Sequence, residues 1–143
     1  MKKTILAIVL SLLGAFLLIQ LVPYRVSNPS VRQEPKWDSP QTRALAVAAC
    51  FDCHSNEVNT PWYGNIAPVS WLITQHVNDG RAALNFSDWK GKRGEGAGDA
   101  AETVRSGSMP PSYYTWFGLH GSSKLTNAQR DQLAHGLTVT LSR

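Results

Sequence analysis

The hydrophobic pattern changes character twice along the chain. Residues Ile5 to Val22 (ILAIVLSLLGAFLLIQLV) are an 18-residue run with one serine, one glutamine and no charge, preceded by Met1-Lys2-Lys3. That is a membrane-directing segment. It exceeds the apolar core of a signal peptide, about 7–15 residues, and no small-x-small cleavage site appears before Asn28, so residues 1–22 are a membrane anchor or signal segment, with the uncleaved anchor favoured. The two lysines ahead of it favour a cytoplasmic N-terminus and place the remainder on the far side. Arg25 and Arg32 weaken that bias. Residues 23–38 are proline-rich and lack periodicity, which reads as a tether.

From Ser39 the pattern is helical. In DSPQTRALAVAACFDCHS, Ser39 is placed as N-cap and Pro40 at the first helical position. Leu45, Ala48 and Ala49 follow at helical spacing. APVSWLITQHVNDGRAAL predicts a second helix with Val69, Leu72, Ile73 and Val77 on its apolar stripe. GKRGEGAG holds four glycines and reads as a loop. DAAETVRSG predicts a short helix closed by Gly107. SMPPSYYTWFGLHGSS is an ordered loop. In the last helix, Thr126 with Gln129 makes a capping box, and Leu133, Leu137 and Leu141 recur every four residues. No stretch alternates as a strand, and no internal repeat is present. The expectation is an all-α domain over residues 39–143 with long aromatic-rich loops.

Charge changes the picture little. Fourteen basic and ten acidic residues give +4. Without Lys2 and Lys3 it is +2, which is no nucleic-acid footprint. A domain of about 100 residues has a modest core, to which a large bound cofactor would contribute.

The chemistry lies in AACFDCHSN, which holds both cysteines, Cys50 and Cys53, with His54 next. Paired cysteines at this spacing serve a dithiol switch, half a zinc site, or covalent haem attachment. A thioredoxin-type switch needs a strand–helix context that is missing. Zinc needs a second close ligand pair, and His76, His120 and His135 are scattered. C-x-x-C-H is the signature of c-type haem attachment, and an export segment agrees with it. The cysteines would bond to the two vinyl groups and His54 would be the proximal ligand. For the sixth ligand, Met109 in SGSMPP is the leading candidate, in a loop stiffened by Pro110 and Pro111. Its alternative role is to fill a gap. His76 and His120 are the rival ligands, and His135 reads as surface.

The blocks CFDCHSN, TPWYGNIAPVSW, HVNDGRAALNFSDW and SGSMPPSYYTW resemble those of a haem-binding domain family of small exported bacterial proteins, related to monohaem c-type cytochromes. The resemblance covers about residues 23–140 and implies a small cytochrome c-like helical domain. It implies haem at Cys50 and Cys53, His54 as proximal ligand and Met109 at the distal position. Pro61, Trp62, Tyr63, Pro68 and Trp71 can wall the proximal face and exclude water, which raises the reduction potential. A carbonyl in that loop would fix the His54 tautomer. Arg81 either pairs with a propionate or is a helix-end surface charge. Tyr113, Tyr114 and Trp116 either hydrogen-bond a propionate or pack. Asn85 and Trp89 close the helix end against the core. The expected function is a membrane-anchored monohaem cytochrome passing single electrons on the periplasmic side. Its partners would be periplasmic or membrane redox proteins and the inner membrane, with no nucleic acid. The alternative is a peroxidase-like enzyme using His120 or Arg105, or a haem-based redox or gas sensor.

Overall fold

The structure, a computed structural model, describes residues 1–90, 94–114 and 121–142. Its helices are α1 (Lys2–Ile19), α2 (Pro40–Ala49), α3 (Phe51–His54), α4 (Val69–Ala83), α5 (Ala100–Arg105) and α6 (Asn127–Leu141). Short 3-10 turns cover Trp62–Asn65, Glu95–Asp99 and Gly121–Ser123. The fold is mostly helical, and among the described residues no strand forms; Gln33 and Asp88 make one isolated parallel bridge. The chain divides into two compact units. One holds Met1–Val26 with Thr60–His76, the other Ser27–Asn59 with Val77–Arg143, so the division falls within α4.

In the first unit, α1 has 18 residues, a mean hydropathy of 2.1 and no buried residue; it is long and apolar enough to cross a membrane. Its C-cap, Gln20, is bonded in both directions to the backbone of Ala67: Nε2 donates to the carbonyl (3.0 Å) and Oε1 accepts from the N–H (2.9 Å). Tyr24 donates from its hydroxyl to Gln75 Oε1 at 3.3 Å. The orientation of α4 corrects the stripe expected from sequence. Val69 and Leu72 are exposed and Ile73 is only half-buried, whereas Ser70, Thr74 and Val77 are buried. The Thr74 hydroxyl bonds back to the Ser70 carbonyl at 2.7 Å, so this small polar side chain enters the interior already satisfied.

In the second unit, α6 packs on α5 and α2. Leu133, Ala134 and Leu137 meet Ala46, Ala49 and Val104 in one core. Each fully buried leucine contributes about 1.5–3 kcal/mol. Gly136 allows close approach, since a Cβ there would strike the Thr42 side chain, 2.6 Å from its Cγ2. Ser39 caps α2 by accepting from Thr42 N (3.2 Å), and the Thr126–Gln129 capping box opens α6. Gly107, at φ +81, follows α5. The same core contains Phe51 and Phe86, which form an aromatic row with Trp37 and Trp89: Trp37 to Phe86 at 5.1 Å, Phe86 to Phe51 at 5.6 Å and Phe86 to Trp89 at 6.2 Å.

Much of the stretch read as a tether is bonded onto this unit. Asn28 exchanges two hydrogen bonds with the Val58 backbone (2.9 and 3.1 Å). Arg32 N donates to Ser87 O, Trp89 N donates to Gln33 O, and Trp37 joins the aromatic row. Glu34 pairs with Arg43. The polar side chains here supply the pairing that periodicity does not announce.

Candidate functional site

The two cysteines and His54 occupy one helical turn with an exact local cause for its position. Helix α2 ends as Cys50 N donates to Ala46 O (2.8 Å) and the Cys50 backbone leaves helical geometry, at φ −125 and ψ −34. A new turn starts there, with Cys53 N and His54 N both donating to Cys50 O (3.1 and 2.9 Å). Phe51 points into the core and is 3% exposed, which fixes the turn's rotation. Cys50, Cys53 and His54 are left half-buried. The two cysteines form no disulfide. Burial pushes Cys50 up to about 12 and, with a smaller contribution from the Asp52 charge, Cys53 up to about 11. Reactive redox dithiols depend on a depressed thiol pKa, so this environment does not suit a dithiol switch.

The state of His54 follows from its partners. Nδ1 lies 2.8 Å from the Gly80 carbonyl and 3.0 Å from that of Leu84. Both are acceptors only, so Nδ1 carries the proton and Nε2 presents its lone pair. Burial lowers the imidazole pKa, while the two carbonyls act in the opposite direction. The result is a neutral, oriented imidazole suited to ligating a metal through Nε2. The carbonyls come from the end of α4 rather than from the Thr60–Trp71 loop expected to supply one. Gly80 makes this possible: a Cβ there would lie 2.5 Å from Cys53 O and 3.0 Å from Cys53 Cβ. Two thiols and a Nδ1-protonated imidazole on one turn form a donor set that fits haem.

Met109 lies beyond α5, 38% exposed, with its backbone held at both ends. Its N–H donates to Thr103 O (3.0 Å), and its carbonyl accepts from the Arg130 guanidinium (3.1 Å), which also bonds Val104 O. Farther along the loop, Tyr114 donates its hydroxyl to Asp52 Oδ2 at 2.8 Å, tying the loop to α3. Asp52 Oδ1 accepts from Asn59 N at 3.1 Å. Asp52, Arg130 and Gly80 were not singled out from sequence. A glycine inside a helical pattern was the only signal for any of them.

Arg81 donates from Nε to the carbonyl of Ser55, directly after His54, at 2.7 Å, and from Nη2 to Asn28 Oδ1 at 3.2 Å. Burial lowers its pKa. Tyr113 is half-exposed at 52%. Trp62 belongs to the other unit and is 77% exposed. Trp71, in that unit too, buries its indole Nε1 without a partner among the described residues. Asn85 is buried and bonds Ser87 N, and Trp89 stacks on Phe86. His76 and His135 are exposed, and Arg105 pairs with Glu102 at 2.9 Å. His120 and Trp116 lie outside the described residues. A cleft of about 400 Å³ beside the motif is lined by Arg43, Val47, Phe51, Asp52 and Glu57 but by neither cysteine nor His54.

The profile of a haem-binding domain family matches residues 14–138. No curated protein and no solved structure matches the chain.

Proposed function

Since the chain belongs to the haem-binding domain family, we propose that it is a membrane-anchored monohaem c-type cytochrome passing single electrons on the periplasmic side. The observation that carries this reading is His54: its Nδ1–H is committed to two carbonyls and its Nε2 is left as a ligand, on the same turn as two thiols. Haem supplies a one-electron ferric/ferrous couple when bound. Cys50 and Cys53 would hold it through thioethers, His54 through Nε2 and Met109 through its thioether sulfur.

The Gly80 and Leu84 carbonyls hold the imidazole against rotation and raise its basicity as a ligand. The bond donated to Thr103 O and the bond accepted from Arg130 set the Met109 backbone before any ligand is present. If both His54 and Met109 hold the haem, no iron position would be left for a substrate, which would favour electron transfer over catalysis. The α1 helix would confine the protein near membrane partners.

The test uses the full chain, exported in a strain that matures c-type cytochromes. Haem should stay with the polypeptide after denaturation and be lost from Cys50→Ala with Cys53→Ala. The reduced spectrum should be low-spin, with a weak far-red sulfur-to-iron band absent in Met109→Ala. A mass equal to the bare polypeptide would refute covalent attachment. A high-spin spectrum unchanged by Met109→Ala would remove Met109 from the iron.

A further inference from the structure

The first unit carries an exposed apolar surface, of which the haem reading claims only Trp62. Trp62 is 77% exposed, Leu72 61%, Val69 41% and Ile66 36%. Val69 and Leu72 stand three residues apart on α4 and so share one face. Single exposed apolar residues are ordinary, but four within the uncharged stretch 62–72 point to an interaction surface. Residues 60–75 contain no Asp, Glu, Lys, Arg or His. All ten acidic residues of the chain lie in the second unit. The charged side chains of the first unit are Lys2, Lys3 and Arg25, flanking the apolar run at its two ends.

The same unit contains α1, and the two parts are joined where α1 ends. Gln20 bonds both ways to the Ala67 backbone, and Tyr24 bonds Gln75. The apolar surface is therefore held at the end of the one helix among the described residues that is long and apolar enough to cross a bilayer. That is the level at which tryptophan and tyrosine concentrate in membrane proteins, with an apolar ring among the acyl chains and a polar edge in the headgroups. A surface without carboxylates meets no repulsion from lipid phosphates, and Arg25 can reach them along its aliphatic stem.

We propose that Trp62, Ile66, Val69 and Leu72 bed into the lipid interface where α1 leaves the bilayer, so that the protein has a second membrane contact besides its helix. The proposal rests on the reading of α1 as membrane-spanning. It predicts that this segment touches lipid in the native, full-length protein.

The experiment is site-specific photocrosslinking in the full-length protein, reconstituted in phosphatidylethanolamine–phosphatidylglycerol vesicles. Benzoylphenylalanine replaces Trp62 or, separately, Leu72, both exposed positions where the probe fits. It also replaces Leu12 within α1 and Asp131, exposed on α6. After irradiation, lipid adducts are counted by mass spectrometry. Positions 62 and 72 should give lipid adducts comparable with position 12 and roughly tenfold above position 131. Adducts at 62 and 72 no higher than at 131, while position 12 labels, overturn the proposal and leave the anchor standing. Crosslinks from 62 and 72 to a second copy of the chain, or within the chain, overturn it in favour of a protein-covered face. Absence of lipid adducts at position 12 removes the anchor reading, and the proposal with it.

Discussion

Replacing Gly80 with alanine tests the contact that orients His54. The new Cβ would sit 2.5 Å from the Cys53 carbonyl oxygen, where ordinary contact begins at 3.4 Å. Both sides of this contact are backbone, so no side chain can swing away, and α4 and α3 must separate by about 0.9 Å. The Gly80 carbonyl lies 2.8 Å from His54 Nδ1, and a displacement of that size takes it beyond hydrogen-bonding range. Overpacking costs about 1–3 kcal/mol. The weakened bond adds about 1 kcal/mol. The better helix propensity of alanine returns about 1 kcal/mol. The net is a loss of about 1–3 kcal/mol, or a fall in Tm of roughly 5–20 °C for a domain of this size. Gly98→Ala is the reference, because a Cβ there meets nothing within 4 Å. Thermal and urea unfolding of both variants, with Nδ1 proton exchange followed by NMR, measure the two effects. Gly80→Ala as stable as Gly98→Ala, with an unchanged Nδ1 proton, would refute the close seating of α4 on the cysteine turn.

Three further outcomes follow from the same contacts. Asp52→Ala and Tyr114→Phe should show a coupling energy of about 1 kcal/mol in a double-mutant cycle by urea unfolding, and zero coupling would break the link between α3 and the Met109 loop. Arg81→Met should cost about 1–2 kcal/mol and speed amide exchange at Arg32 and Gln33, whereas unchanged exchange would show that the Arg81–Asn28 bond does not hold residues 28–33 in place. Glu34 is held below the ordinary value of 4.5 chiefly by its bonds from Arg43, with burial opposing. A depressed carboxylate stabilises above its unfolded pKa and loses that contribution as pH falls through its folded value. Glu34→Gln should therefore cost about 1 kcal/mol at pH 7 and nothing well below that folded value; a gap independent of pH would refute the pairing.

The readable parts of this protein were those whose causes lie within a few residues. Ser39 before Pro40 specifies the start of α2, Thr126 with Gln129 that of α6, and Gly107 the exit from α5, because each places a donor, an acceptor or a positive φ next to the atoms it serves. The cysteine–histidine spacing was legible for the same reason, since all three residues fit on one turn. The α4 stripe misled because periodicity says which residues share a face and not which face turns inward. Here Ser70 and Thr74 are small and self-satisfied enough to go inside, leaving Val69 and Leu72 out.

What the sequence determined alone is the set of helices, the apolar N-terminal segment and the donor set of the cysteine–histidine turn. Only the tertiary structure decided that Trp37 leaves the supposed tether for the aromatic row, and that Arg81 clamps the backbone after His54. It also brought Asp52 to Tyr114, 62 residues away, and the Gly80 carbonyl to the imidazole. The physical reason is reach. Caps, turns and ligand spacing depend on short-range sterics and hydrogen bonds between near neighbours. The orientation of His54 depends on which distant backbone can approach it, and that is settled by close packing of the whole unit.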